Sequence, residues 1–412
     1  MIKKYIPKFG FKIYHYLLAL LGAFLFGFPS NKIKVIGITG TNGKSTTASI
    51  CLKVLEAGGY KVATMSSISF KIGEQEIVND LKMTMPGRFK IQEFLREAVD
   101  KKCDYAIIEV TSEGVEQFRH KFIDFDVAIL TNLSKEHIES HGSFENYKAA
   151  KGKFFNDVKG IHILNEDDSH FDYFNSFFAK EKITYSLSKD SDICVKEILV
   201  TDTFSEFRVG SVSFKTNLLG EFNVYNCLAG IALGVSQGMN LEQCRKGITE
   251  VEGIPGRMQK IISEPFTVFI DYAFTPNALE KVYQYLKPNI VVLGSCGGGR
   301  DKWKRPVLGE LASRYAKQVI ITNEDPYDED PQKIIDEVGE GVQNPIKIFD
   351  RREAIFKALS LAKEGDTIVI TGKGSETCIM WSRGRREEWN EKQVILEEFE
   401  KIKKGNDFVI VP

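Results

Sequence analysis

The sequence predicts an α/β protein of two domains, each built on a mostly parallel sheet crossed by helices, and three observations carry that expectation. A glycine-rich turn, Gly37-Ile38-Thr39-Gly40-Thr41-Asn42-Gly43-Lys44-Ser45-Thr46, joins an apolar run to a segment of helical periodicity. Downstream, short apolar runs alternate with helical patterns, as parallel strands with helical crossovers do. A second series of the same kind starts after Gly253-Ile254-Pro255-Gly256. The chain has 412 residues, which suits two packed domains at about 100–200 residues each.

Taken in order, residues 16–28 are almost entirely apolar and follow Lys3, Lys4, Lys8 and Lys12. That run is shorter than the roughly 20 residues a spanning helix needs. Residues 1–30 therefore read as a helical segment, either docked on the first domain or attached to a membrane interface. The first domain covers 31–252. Its expected strands are 34–39, 62–65, 105–110, 127–130 and 162–164, with helices at 44–57, 89–101, 147–155 and 222–237; Gly58-Gly59 is a helix stop. The second domain covers 253–412, with strands at 268–270, 290–293, 319–322 and 367–371. Its helices are expected at 276–286, 307–315, 331–338 and 352–361.

Composition narrows the function classes. A net charge of −1 gives no broad attraction to nucleic acid. The seven cysteines are scattered with no CxxC pair, which excludes a zinc ribbon and a disulfide framework and fits a reducing cytosol.

The glycine-rich turn is the first chemical signal. Between a strand and a helix, its backbone N–H groups converge on phosphate oxygens. Lys44 adds a mobile charge near the terminal phosphates, and Ser45 supplies a hydroxyl to Mg²⁺. Strict Walker spacing places glycine where this chain has Ile38, so the loop is a variant. Glu109 closes the 105–110 strand at the sheet end where ligands gather; it reads either as a ligand of the same Mg²⁺ as Ser45 or as an ordinary surface or cap carboxylate. Thr131-Asn132-Leu133, Glu136-His137, His141-Gly142 and Tyr147-Lys148-Ala149-Ala150-Lys151 follow a strand end. On residue type alone, Lys151 reads as a solvated helix lysine and His137 as a structural histidine.

Together these motifs resemble the Mur ligase family, and within it the tripeptide-synthetase branch. The resemblance rests on Thr39–Ser45, Glu109-Val110-Thr111-Ser112, Thr131-Asn132-Leu133 with His137, His141-Gly142 and Ala149-Ala150-Lys151. It extends through Asn165-Glu166-Asp167-Asp168 and Gly220 to Asn226. In the second domain it continues through Gly256-Arg257-Met258, Asp271-Tyr272-Ala273, Lys304-Arg305-Pro306 and Gly372-Lys373-Gly374. It covers residues 34–395 and implies a P-loop ATPase domain followed by a Rossmann-like ligase domain.

The implied activity is an ADP-forming amide ligation. ATP phosphorylates a muramoyl-peptide carboxylate, and an amino-acid amine then displaces phosphate. The resemblance assigns Gly40, Thr41, Asn42, Gly43, Lys44, Ser45, Thr46, Asn226, Arg257 and Asp271 to ATP. Two Mg²⁺ ions are expected on Ser45, Glu109, His137 and a carbamylated Lys151, with Lys44, His137, Lys151 and Arg257 as the catalytic set. Thr84, Ser112, Gln117 and Arg119 are assigned to the muramoyl peptide, and Asp325 and Glu376 to the amino acid.

Departures bear on the substrate. Only about 30 residues precede the loop, too few for the family's separate uridine-binding domain. Glu324-Asp325-Pro326-Tyr327 stands where diaminopimelate-adding members carry Asp-Asn-Pro-Arg, and a tyrosine lacks the arginine's carboxylate-binding charge. The added amino acid, and whether the acceptor is UDP-linked or lipid-linked, stay open. Two alternatives are a folylpolyglutamate-synthetase-like ligase and an ATP-binding subunit that modifies lipid-linked precursors with a partner protein.

Overall fold

A computed structural model describes residues 8–405. The chain forms two compact units. One runs to Lys135 and resumes over Phe144–Glu252; the other joins Glu136–Ser143 to the chain from Gly253 onward.

The first unit opens with α1 (Lys8–Leu25). Ala19, Gly22 and Ala23 form its inward seam, and a Cβ on Gly22 would lie 3.8 Å from Arg88 and Gln92 of α3 (Arg88–Asp100). The helix therefore docks along α3. Between them in sequence come β1 (Lys34–Thr39), α2 (Lys44–Ala57), β2 (Val62–Met65), β3 (Ser69–Ile72) and β4 (Gln75–Val78). After α3 follow β5 (Tyr105–Glu109), α4 (Ser112–Glu116) and β6 (Val127–Leu130). The short α5 (Ile138–His141) belongs to the other unit. Then come α6 (Phe144–Asp157), β7 (Ile161–Asn165), α7 (Phe171–Asn175), β8 (Glu181–Ser186), β9 (Ile193–Val200), β10 (Ser205–Val209) and β11 (Val212–Thr216). Helices α8 (Glu221–Ser236) and α9 (Leu241–Thr249) complete the unit.

Eleven strands form one sheet in the order β11-β10-β9-β8-β7-β6-β1-β5-β2-β3-β4. The run β9-β8-β7-β6-β1-β5-β2 is parallel throughout, as at Ile36↔Ile107 and Ile36↔Val127. Antiparallel ribbons, β3–β4 and β9–β11, extend both edges. Val35, Ala106, Ile108, Ala128 and Leu130 are buried with Phe154 and Phe155 of α6. A central strand buried on both faces needs a near-continuous apolar run, which is why β1, β5 and β6 were legible in sequence. The edge ribbons were not foreseen: β4 is exposed throughout and β9 largely so, leaving no apolar alternation to read.

The second unit holds a six-stranded sheet, β12-β13-β17-β14-β15-β16. Its strands are β12 (Gln259–Ile262), β13 (Thr267–Asp271), β14 (Ile290–Leu293), β15 (Gln318–Ile321), β16 (Ile346–Lys347) and β17 (Thr367–Thr371). All pairings are parallel except β12–β13. Helices α10 (Pro276–Leu286), α11 (Lys304–Tyr315), α12 (Pro331–Gly339) and α13 (Arg351–Leu361) make the crossovers. A ribbon, β18 (Cys378–Met380) with β19 (Arg386–Glu388), precedes α14 (Glu391–Gly405).

Candidate active site

In the first unit, functional side chains gather where β1, β2, β5 and β6 end. The chain leaves β1 at Thr39 and enters α2 at Lys44, with Gly43 as the N-cap at φ 83°. Thr131 and Asn132, just past β6, hold the intervening loop. Thr41 N donates to Asn132 O at 2.8 Å and Asn42 N to Asn132 Oδ1 at 3.1 Å. Thr131 Oγ1 donates to Asn42 O at 2.7 Å. Lys44 folds over the loop and donates to Gly40 O and Thr41 O, both at 3.0 Å. Ile38, at the Walker glycine position, is a fully buried β1 residue.

Gly40 is fixed by close approach: a Cβ there would lie 1.9 Å from Thr131 Oγ1. Overpacking of this kind costs about 1–3 kcal/mol. Gly40→Ala is therefore expected to push the loop off Thr131 and weaken ATP binding about tenfold or more, a free-energy change within that range. Calorimetric titration with ATP checks it, and unchanged affinity would contradict the loop assignment.

Asn226 of α8 reaches the same loop. Its Oδ1 accepts from Thr47 Oγ1 at 3.1 Å and would sit 2.6 Å from a Cβ on Gly43, while its Nδ2 donates to Asn223 Oδ1 at 2.9 Å. Ser45 and Glu109 meet through a residue the sequence did not single out. Ser67 Oγ lies 2.7 Å from Ser45 Oγ, and Ser67 N donates to Glu109 Oε1 at 2.8 Å. Glu109 is buried, which removes the reading of it as a surface carboxylate. A hydroxyl and a carboxylate are hard oxygen donors, so this pair fits Mg²⁺, whose other ligands are ordinarily water and phosphate oxygens.

Lys151 corrects the residue-level expectation more sharply. It is not a solvated helix lysine: it is 2% exposed on the inner face of α6. Its Nζ donates to Gly40 O at 2.9 Å and Thr39 Oγ1 at 3.2 Å, and lies 4.9 Å from the centre of the Tyr147 ring. Burial, and then the nearby charge of Lys44, hold its ammonium well below the usual lysine range.

On the substrate-assigned side, Gln117 and Arg119 pair directly, with Arg119 Nη2 donating to Gln117 Oε1 at 2.8 Å. Arg119 also bonds Met85 O, next to Thr84, while Arg88 bonds Gln117 O. The two loops are thus crossed by two guanidiniums, and Arg88 is another residue that motif reading missed. Ser112 is buried at the start of α4.

In the second unit, Asp271 ends β13 fully enclosed, and burial raises its carboxyl above the ordinary range. Its oxygens accept from Met258 N and Ala273 N, each at 2.6 Å. The Arg257 guanidinium lies 4.3 Å from the centre of the Tyr272 ring, and Tyr272 OH donates to Glu376 Oε1 at 3.1 Å. Buried Lys373 then joins Glu376 Oε2 at 2.7 Å to Asp325 Oδ1 at 2.9 Å. The structure therefore brings Arg257, Asp325 and Glu376 into one network through Tyr272 and Lys373, while Asp271 is held separately by the amides of Met258 and Ala273. Tyr327 is half-buried, and burial first, then the nearby Asp325 carboxylate, raises its phenol above the ordinary range.

His137 is carried by the segment that folds with this second unit. It takes a left-handed conformation, φ 58°, at the start of α5. Lys304 Nζ bonds Glu136 Oε1 at 2.6 Å with both side chains buried. Asp301 accepts from Ile138 N at 3.1 Å and Glu139 N at 2.8 Å. Among the described residues, no three His, Cys, Asp or Glu side chains cluster as a metal site by themselves.

Comparison with known proteins gives this arrangement its context. Residues 38–234 match the Mur ligase middle domain, and residues 256–374 match the Mur ligase, glutamate ligase domain. A UDP-N-acetylmuramoyl-L-alanyl-D-glutamate–2,6-diaminopimelate ligase of Bacillus cereus is 36% identical over 379 residues, 87% of this chain and 77% of that protein. The chain belongs to the Mur ligase family. Mur ligases are ATP-dependent amino-acid ligases that use Mg²⁺. This Mur ligase is also 34% identical to a UDP-N-acetylmuramyl-tripeptide synthetase of Roseiflexus over 397 residues, covering 88% of this chain and 78% of that one. Among solved structures, a UDP-N-acetylmuramoyl-L-alanyl-D-glutamate–2,6-diaminopimelate ligase matches with a TM-score of 0.61 and 29% identity, covering 90% of this Mur ligase and 79% of that chain. Mycobacterium tuberculosis folylpolyglutamate synthase matches with a TM-score of 0.72 at 18% identity, covering 87% and 92% respectively, a likeness of fold alone.

Proposed function

We propose that this Mur ligase adds an amino acid to a muramoyl-peptide cell-wall precursor. The observation that carries the reading is the buried Lys151 amine, held between the phosphate loop and Tyr147 in a chain more than a third identical to muropeptide ligases over most of its length. The loop from Gly40 to Thr46, with Asn226 against it, binds ATP, and in the second unit Arg257 and Asp271 are the residues that the family resemblance assigns to nucleotide. The acceptor carboxylate attacks the γ-phosphorus, its oxygen forming the new P–O bond as the bond to ADP breaks. The amine then attacks the acyl carbon, and inorganic phosphate leaves with the C–O electron pair. Charge accumulates on oxygen in both steps, and Lys44 and Arg257 are the protein cations suited to stabilise it.

Lys151 gains a carbamate in this reading. Its amine nitrogen bonds the carbon of CO₂, one proton leaves to solvent, and a carboxylate-like anion results. That anion, with Ser45 and Glu109, would hold Mg²⁺ at the phosphate loop, and the bound charge would neutralise phosphate; His137, in the second unit, is the further ligand that the resemblance assigns to a second ion. Thr84, Ser112, Gln117 and Arg119, joined by Arg88, hold the muramoyl peptide. Asp325 and Glu376 face the amino acid. Tyr327, in place of an arginine, favours an amino acid other than diaminopimelate. Peripheral membrane contact through α1 belongs to the same reading, on the ground of its exposed apolar face.

Phosphate release from Mg²⁺-ATP, measured across a matrix of muramoyl peptides and amino acids with folates as controls, tests the proposal. Release that requires a muramoyl dipeptide and one amino acid is expected, with the ligated product identified by mass spectrometry. Folate-dependent release would reassign the substrate.

A further inference from the structure

We propose that α1 lies flat in the interface of an anionic lipid bilayer, with its N-terminal end turned to the headgroups. The observation is an inverted surface. Helix α1 already has its inward seam against α3, through Ala19, Gly22 and Ala23, and Tyr16 packs on the rings of Phe118 and Phe122 at 5.8 and 5.0 Å. An ordinary surface helix is polar on the opposite side. Here that side presents Ile13, Tyr14, Leu17, Leu21 and Phe24, with Leu17 55% and Phe24 69% exposed. A docked helix that is also apolar outward has a second apolar environment.

Charge identifies that environment. Lys12 is exposed in the N-terminal part of α1, off the apolar face, Lys8 opens the helix, and Lys3 and Lys4 precede it in sequence. No aspartate or glutamate occurs before Glu56. Lysines at one end of an apolar, tyrosine-bearing helix match anionic headgroups over an acyl layer. Among the described residues no helix is long and apolar enough to cross a membrane, so the helix lies on the bilayer and does not span it. At 18 residues it is about 27 Å long, a footprint large enough to fix the orientation of the unit to which it is docked. The inference deepens the membrane contact included in the proposed function, and its readout is independent of ligase activity and of the acceptor.

The test is co-sedimentation of the full chain with phosphatidylcholine vesicles made with and without phosphatidylglycerol. The wild-type protein is expected to pellet with the anionic vesicles, to bind neutral ones at least tenfold less, and to release at high salt. Leu17→Glu/Phe24→Glu is expected to lower binding at least tenfold with an unchanged melting temperature, because both side chains face outward. Lys12→Glu is expected to weaken only the anionic component. Equal binding to both vesicle types, or no binding to either, overturns the proposal. A concentration-dependent dimer by light scattering that Leu17→Glu/Phe24→Glu dissolves, without vesicle binding, would assign the face to a second copy and overturn it as well.

Discussion

Lys151→Ala is expected to lower kcat by about 10²–10³-fold or more, the scale on which removing one preorganised charge from an active site acts. Burial around Tyr147, Ala150 and Phe154 would be retained, so the circular dichroism spectrum should match the wild type. The same variant should lose a ¹³C carbamate resonance that the wild type acquires in labelled bicarbonate. Full activity in Lys151→Ala would end the carbamate proposal; lost activity together with a lost fold would instead make the residue structural.

The largest expected stability effect lies at Arg351. This guanidinium is fully enclosed and bonds Glu391 through both Nε, at 3.1 Å, and Nη2. It also donates to Thr371 O at 2.8 Å and Asn323 O at 3.3 Å. Arg351→Met leaves the Glu391 carboxylate buried beside one remaining donor, Trp389 Nε1. Stranding one member of a buried pair costs about 3–5 kcal/mol, and a denaturant midpoint shift in the second unit's transition would report it. Arg351→Met/Glu391→Leu should recover most of the loss. Because Asn323 and Thr371 lead into the segments that carry Asp325 and Lys373, ligase activity should fall in the single variant and return with the double. A shift below about 1 kcal/mol would place the pair among interactions that merely break even.

The contrast between Lys151 and Ser67 shows what the chain disclosed before folding. Tyr147, Ala150, Lys151, Phe154 and Phe155 recur at the spacing of one buried helical stripe. The burial of Lys151 was therefore written in the pattern, although residue type argued against it. The phosphate loop was legible because its glycines, lysine and serine sit between a β-branched run and a helix. Ser67 and Arg88 gave no such signal; only the lateral order of strands brings β2 beside β5, and the 84–88 loop beside 117–119. Strand order is a long-range property, and no local window contains it. The separation of His137 from the unit that surrounds it in sequence is of the same kind.

That separation limits how the protein can be taken apart. The chain passes between its two units after Lys135, after Ser143 and after Glu252, so a cut at the last point alone does not divide it. A fragment ending at Glu252 would carry residues 136–143 without Lys304 or Asp301, leaving Glu136 with no cation and the amides of Ile138 and Glu139 with no acceptor. Exchange of C-terminal halves between relatives would meet the same mismatch. The tandem order of motifs suggests a modular enzyme, yet residues 136–143 must be exchanged together with the C-terminal half that holds them.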